Sequence, residues 1–92
     1  MSKKVSFKNY DRFIQLGITI STLRKIRGLS QEELAYRAGI SRSLLSAIEA
    51  PNLAKVFSME VFYDIADALK VDPADLITAS VLPDNILNKQ SL

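Results

Sequence analysis

The 92 residues, 48% apolar and 24% charged, are enough for one domain with a real core, and their composition excludes both a disordered chain and a membrane-spanning one. No apolar run approaches the roughly 20 residues that cross a bilayer, and the N-terminus has no apolar stretch or cleavage site of a secretory signal, so a cytoplasmic protein without a membrane partner is expected. Net charge is only +2, and with no His and no Cys the ordinary zinc sites and Cys–His or Ser–His nucleophiles are excluded. None of the ten carboxylates stands out as a working pair, so neither enzyme chemistry nor a metal or cofactor is expected.

The charge is unevenly spread. Residues 1–55 carry ten Lys/Arg and four Asp/Glu, a balance of +6, whereas residues 56–92 carry two and six, a balance of −4. The first part is therefore suited to face a polyanion and the second to face solvent or protein.

Residues 1–9 read as a basic arm with Lys3, Lys4 and Lys8. From Tyr10 to Arg27, Phe13, Leu16, Ile20 and Leu23 recur every three or four residues, which predicts a helix capped by Asn9 and stopped by Gly28. Ser30-Gln-Glu-Glu33 is a capping box. It opens a short second helix, Gln31–Ala38, that turns Leu34, Ala35 and Ala38 inward and ends at Gly39. Ser41 starts a third helix running to about Glu49, with Leu45 and Ile48 on one face, and Pro51 closes it. After a loop at 52–57, Ser58 caps a fourth helix, Met59–Leu69, with Phe62, Ile65, Ala66 and Leu69 inward. Asp72-Pro73 opens a short fifth helix. The domain is thus expected over residues 10–79, leaving 80–92 as an extension whose Val81, Leu82, Ile86 and Leu87 are too apolar for a purely solvated tail.

Residues 31–50 are the most informative stretch. Two short helices meet at a three-residue turn that begins with Gly39. Leu34, Ala38, Ile40, Leu45 and Ile48 point inward, and Ala35 lies where the helices cross. The outward positions of the third helix are Ser41, Arg42, Ser43, Ser46 and Ala47, all small or polar except for the one long base.

In order along the chain, Leu16-Gly17, Ile20, Leu23-Arg24, Gly28-Leu29-Ser30-Gln31-Glu32-Glu33-Leu34-Ala35, Ala38-Gly39-Ile40-Ser41-Arg42-Ser43, Leu45-Ser46 and Ile48-Glu49, followed by Ile65-Ala66-Asp67-Ala68-Leu69-Lys70-Val71, resemble the Cro/cI-type (XRE) helix-turn-helix family of transcriptional regulators. The resemblance covers about sixty residues and implies an all-α, compact five-helix, lambda-repressor-like bundle. Its third helix would enter the major groove of double-stranded DNA while its second crosses the backbone. A sequence-specific regulator, a repressor on a pseudo-palindromic operator, is the function this implies.

Carried onto this sequence, the resemblance gives Gln31 a phosphate contact and a bracing role toward the recognition helix. It puts base-edge contacts at Arg42 and Ser43 and a phosphate or base contact at Ser46. Ala47 is left to meet a thymine methyl group, and Arg42 has the chemistry for a bidentate contact to guanine. Ser41, at the N-terminus of the third helix, joins them because such a terminus favours anions. The resemblance also implies a structural ion pair between Arg24 and Glu49. Lys25, Arg27 and Arg37 are near enough to the motif to meet phosphates, or else are simply solvated.

The sequence departs from the family pattern after Glu49. Pro51 follows Ala50 directly where a Gly is usual, and the loop is longer and carries one base, leaving Asn52 and Lys55 as its phosphate-contact candidates. A second set of apolar residues, Phe7, Tyr10, Ile14, Ile18, Ile26, Tyr63 and those of the extension, lies off the main core faces. They suit a homodimer interface, or terminal segments that cover one another within a monomer. The same features leave open a second function: a protein–protein module of this fold, such as an antitoxin, with a protein partner at residues 80–92 and DNA binding secondary.

Overall fold

The computed structural model describes residues 5–81, in which five helices follow in order: α1 (Phe7–Ile26), α2 (Gln31–Ala38), α3 (Arg42–Glu49), α4 (Met59–Leu69) and α5 (Pro73–Val81). Lys3, Lys4 and the apolar residues Leu82, Ile86 and Leu87 of the extension lie outside the described residues.

Local chemistry sets most of the boundaries. Ser30 and Glu33 form the reciprocal capping box: the Glu33 N–H donates to Ser30 Oγ at 3.0 Å and the Ser30 N–H to Glu33 Oε1 at 2.9 Å. The bond from the Ser30 N–H, with the Ser30 hydroxyl beside it, also holds the Glu33 carboxyl below its ordinary range. Ser41 and Ser58 cap α3 and α4 through the N–H groups of Leu44 and Val61, and Asp72 Oδ1 accepts from the Ala74 N–H ahead of α5. Gly28 (φ +73) and Gly39 (φ +70) take the left-handed conformation that closes α1 and α2. Lys70 (φ +60) closes α4 in the same way.

Two boundaries differ from expectation. α1 starts at Phe7 behind Ser6, three residues before the expected start, because nothing in Phe7-Lys8-Asn9 breaks a helix; the Asn9 side chain accepts from Arg12 Nη1 at 2.9 Å instead of capping a backbone N–H. α5 continues through Ser80, which is buried and donates its hydroxyl to the Ile77 carbonyl.

The core is formed by Ile20, Leu34, Ala35, Ala38, Leu45, Ile48, Phe62, Ile65, Ala66, Leu69 and Leu76. On α1 the buried line is Ile14, Gly17, Ile20 and Arg24, rotated from the expected Phe13, Leu16, Ile20 and Leu23, whose members other than Ile20 are only partly covered. The reason is tertiary: α1 packs against α3, α4 and α5, so a wider face is covered and its centre shifts. Gly17 is essential to that packing, because a Cβ there would overlap the backbone carbonyl of Ile48. Phe13 packs edge-on to Phe57 with centroids 5.7 Å apart, tying α1 to the segment ahead of α4.

Candidate nucleic-acid interface

α2 and α3 are held at their angle by the turn at residues 39–41. Gly39 supplies the left-handed residue, the Ile40 N–H donates to the Ala35 carbonyl at 3.0 Å, and Ile40 is half-buried beneath. Ala35 is buried where the helices approach, and Leu34, Ala38, Leu45 and Ile48 fill the space between them and α4.

That arrangement turns one side of α3 to solvent. Arg42, Ser43 and Ser46 are exposed and Ala47 is half-buried. Ser41 is exposed as well, its Oγ accepting the Leu44 N–H at 3.0 Å, so its hydroxyl hydrogen can still be offered to an anion. Side chains this short let the α3 backbone come close to a surface, with Arg42 reaching beyond it.

The carboxylate at the end of α3 is withdrawn from solvent. Glu49 is buried; its Oε2 accepts from Arg24 Nε at 2.8 Å and its Oε1 from Arg24 Nη2 at 2.9 Å. Arg24 Nη1 also donates to the Leu29 carbonyl at 2.8 Å. Gln31 Nε2 donates to the same Glu49 Oε1 at 3.0 Å, joining the first residue of α2 to the last of α3. No buried side-chain nitrogen or oxygen among the described residues lacks a partner. The network thus removes the negative charge of Glu49 from the exposed face and makes the start of α2 and the end of α3 one unit.

Other cations are placed differently from one another. Arg27 Nε donates to the Leu69 carbonyl at 2.9 Å, so it closes the C-terminus of α4. Lys25 and Arg37 are exposed on α1 and α2. The loop after α3 makes a turn in which the Leu53 N–H donates to the Ala50 carbonyl at 3.2 Å, leaving Asn52 and Lys55 exposed. Two features of this region have no signal in the sequence. Ala54 is buried with φ +43, a conformation an Ala does not advertise. Tyr36 stands 87% exposed on α2, where its apolar ring would suggest a core position.

Residues 17–80 match the model of a helix-turn-helix domain family. The chain is 33% identical over 63 residues to the HTH-type transcriptional regulator y4dJ of Sinorhizobium fredii, a match covering 68% of this chain and 79% of that one. Among solved structures it is similar to the restriction-modification controller protein C.AhdI from Aeromonas hydrophila, with 31% identity and a TM-score of 0.66 over 71% of this chain and 96% of the other. A variant of a second restriction-modification controller protein, C.Esp1396I, shares the fold at a TM-score of 0.71 and 23% identity, over 91% of this chain and 96% of that one. Among the described residues no helix is long and apolar enough to cross a membrane.

Proposed function

Because this chain belongs to the helix-turn-helix family of DNA-binding transcriptional regulators, we propose that it is a repressor that reads the major groove of a pseudo-palindromic operator with α3 and binds it as a homodimer. The observation that carries this reading is which side chains α3 leaves to solvent and which it buries. Arg42, Ser43 and Ser46 face outward, while the one carboxylate of the helix is turned inward and neutralised by Arg24. A phosphate-lined groove repels acids, so a helix with short polar side chains, one long base and no exposed acid suits its floor.

Arg42 and Ser43 are assigned to base edges, Ser46 to a base or phosphate, and Ala47 to a thymine methyl group. Gln31, Ser41, Asn52 and Lys55 are assigned to phosphates. Repression needs nothing more than an occupied operator. The likeness to restriction-modification controller proteins supports a regulatory role.

Selection of bound sites from random duplexes, followed by a salt titration, tests the reading. A two-fold symmetric site is expected, with log K falling against log[salt] by about 0.9 for each phosphate contacted. Arg42→Ala should erase preference at one base pair in each half-site, a loss of about 1–3 kcal/mol of discrimination. Equal weakening on every sequence would remove Arg42 from base reading, and binding that ignores both sequence and salt would sink the function.

A further inference from the structure

Apart from glycine, two described residues have positive φ. Lys70 does so to close a helix, a usual task for that conformation. Ala54 does so in the middle of the loop after α3, where no helix end requires it and where a Cβ makes the left-handed region unfavourable. Its methyl group is nevertheless buried, at 4% exposure, while Pro51, Asn52, Leu53, Lys55 and Val56 around it are all exposed. The loop is pinned on both sides of this residue, by the turn from Ala50 to Leu53 and by the Phe57 ring against Phe13. A segment needed only to connect α3 with α4 could relax by swinging Ala54 outward. Here the strained conformation is retained beside the reading helix, a setting in which strain commonly serves to preorganise a site.

We propose that Ala54 is a positioning residue for DNA: its buried methyl group holds the loop in the one form that presents Lys55, with Asn52, to the sugar-phosphate backbone. The proposal rests on α3 being the groove-reading helix. The eight residues of α3 span about 12 Å, close to the roughly 12 Å width of the major groove. With α3 in the groove, an exposed lysine in the loop just beyond its end is therefore within reach of a bordering strand. A loop already in the bound form is not ordered at the expense of affinity when DNA arrives.

The test compares the wild type, Ala54→Gly, Lys55→Ala and the double variant on the selected operator, measuring Kd by fluorescence anisotropy across a salt series. Glycine accepts positive φ without strain, so Ala54→Gly should fold while freeing the loop. It is expected to weaken binding about tenfold and to reduce the salt slope by about 0.9, the value of one phosphate contact. In the Lys55→Ala background the same change should alter Kd less than twofold. Ala54→Ser, which keeps a Cβ, should restore the wild-type slope. Partial unfolding would scale Kd alike at every salt concentration, so a tenfold loss with an unchanged slope overturns the proposal. If Lys55→Ala reduces the slope and Ala54→Gly does not, the positioning role alone fails. If Lys55→Ala changes neither Kd nor slope, the loop contact fails and takes the proposal with it. A wild type without salt-dependent binding would instead refute the DNA reading of α3.

Discussion

Glu49 and Gly17 each sit at a close contact between α1 and α3. A buried carboxylate is costly unless paired and hydrogen-bonded, and Glu49 has both, with two bonds from Arg24 and one from Gln31. Such a pair is not a large net source of stability, because desolvation offsets much of the attraction, yet breaking it strands a charge at about 3–5 kcal/mol. Arg24→Met is therefore expected to destabilise by that amount in chemical denaturation, whereas Arg24→Met combined with Glu49→Leu should cost less than the single change. Additive losses would mean that the two groups act independently. Gly17 faces the Ile48 carbonyl with no room for a Cβ. An ordinary helical Gly→Ala gains about 1 kcal/mol of helix propensity. Here overpacking against backbone, which costs about 1–3 kcal/mol or more, should outweigh that gain and make Gly17→Ala destabilising. A melting temperature equal to or above that of the wild type would show that α1 and α3 can separate without loss.

Among the helices, α2 has the most explicit start, and that start carries a pH dependence. The N–H of Ser30 and its hydroxyl hold the Glu33 carboxyl below its ordinary value of 4.5. A depressed carboxyl stabilises the fold above its unfolded value and loses that contribution as pH falls through the folded one. The acid loss attributable to Glu33 should therefore appear below about pH 4.5. Glu33→Gln keeps a side-chain acceptor for the Ser30 N–H but does not titrate. Its stability, followed by circular dichroism between pH 6 and pH 3, should fall less than that of the wild type; equal slopes would show that the box contributes no pH dependence. The N-caps of α2, α3 and α4 and the glycine that ends α2 are readable because Ser at an N-cap and Gly at a C-terminus act within a few residues. The start of α1 is not: Asn9 is a good cap by type, but its side chain bonds to Arg12, and no local rule decides between two such partners.

At the scale of the whole molecule, the apolar residues left exposed bear on assembly. Tyr10 and Ile18 on α1, and Ile77 and Val81 on α5, remain between 38% and 45% exposed on two helices that pack together. These are exposed apolar side chains that the homodimer proposed above would cover. Ile77→Glu, on the exposed side of α5, should shift sedimentation from dimer to monomer with little change in melting temperature and weaken operator binding. A wild type that sediments as a monomer at concentrations saturating the operator would exclude the dimer.

By itself, the sequence determined what depends on neighbours a turn or two away. The capping box, the glycine stops, the lengths of α2 and α4 and the apolar partners within the motif follow from spacing and residue type, and the family resemblance supplied the architecture that joins them. Only the tertiary structure decided which line of α1 is buried. Gly17 and Arg24 belong to it through the Ile48 carbonyl and the Glu49 carboxylate, neither of which hydropathy registers. It likewise turned Arg27 toward the Leu69 carbonyl. In residues 31–50, periodicity separates an inner from an outer face. The bond from Gln31 to Glu49 that makes the two helices one unit, and the buried methyl group of Ala54 just beyond them, depend on packing between residues distant in the chain.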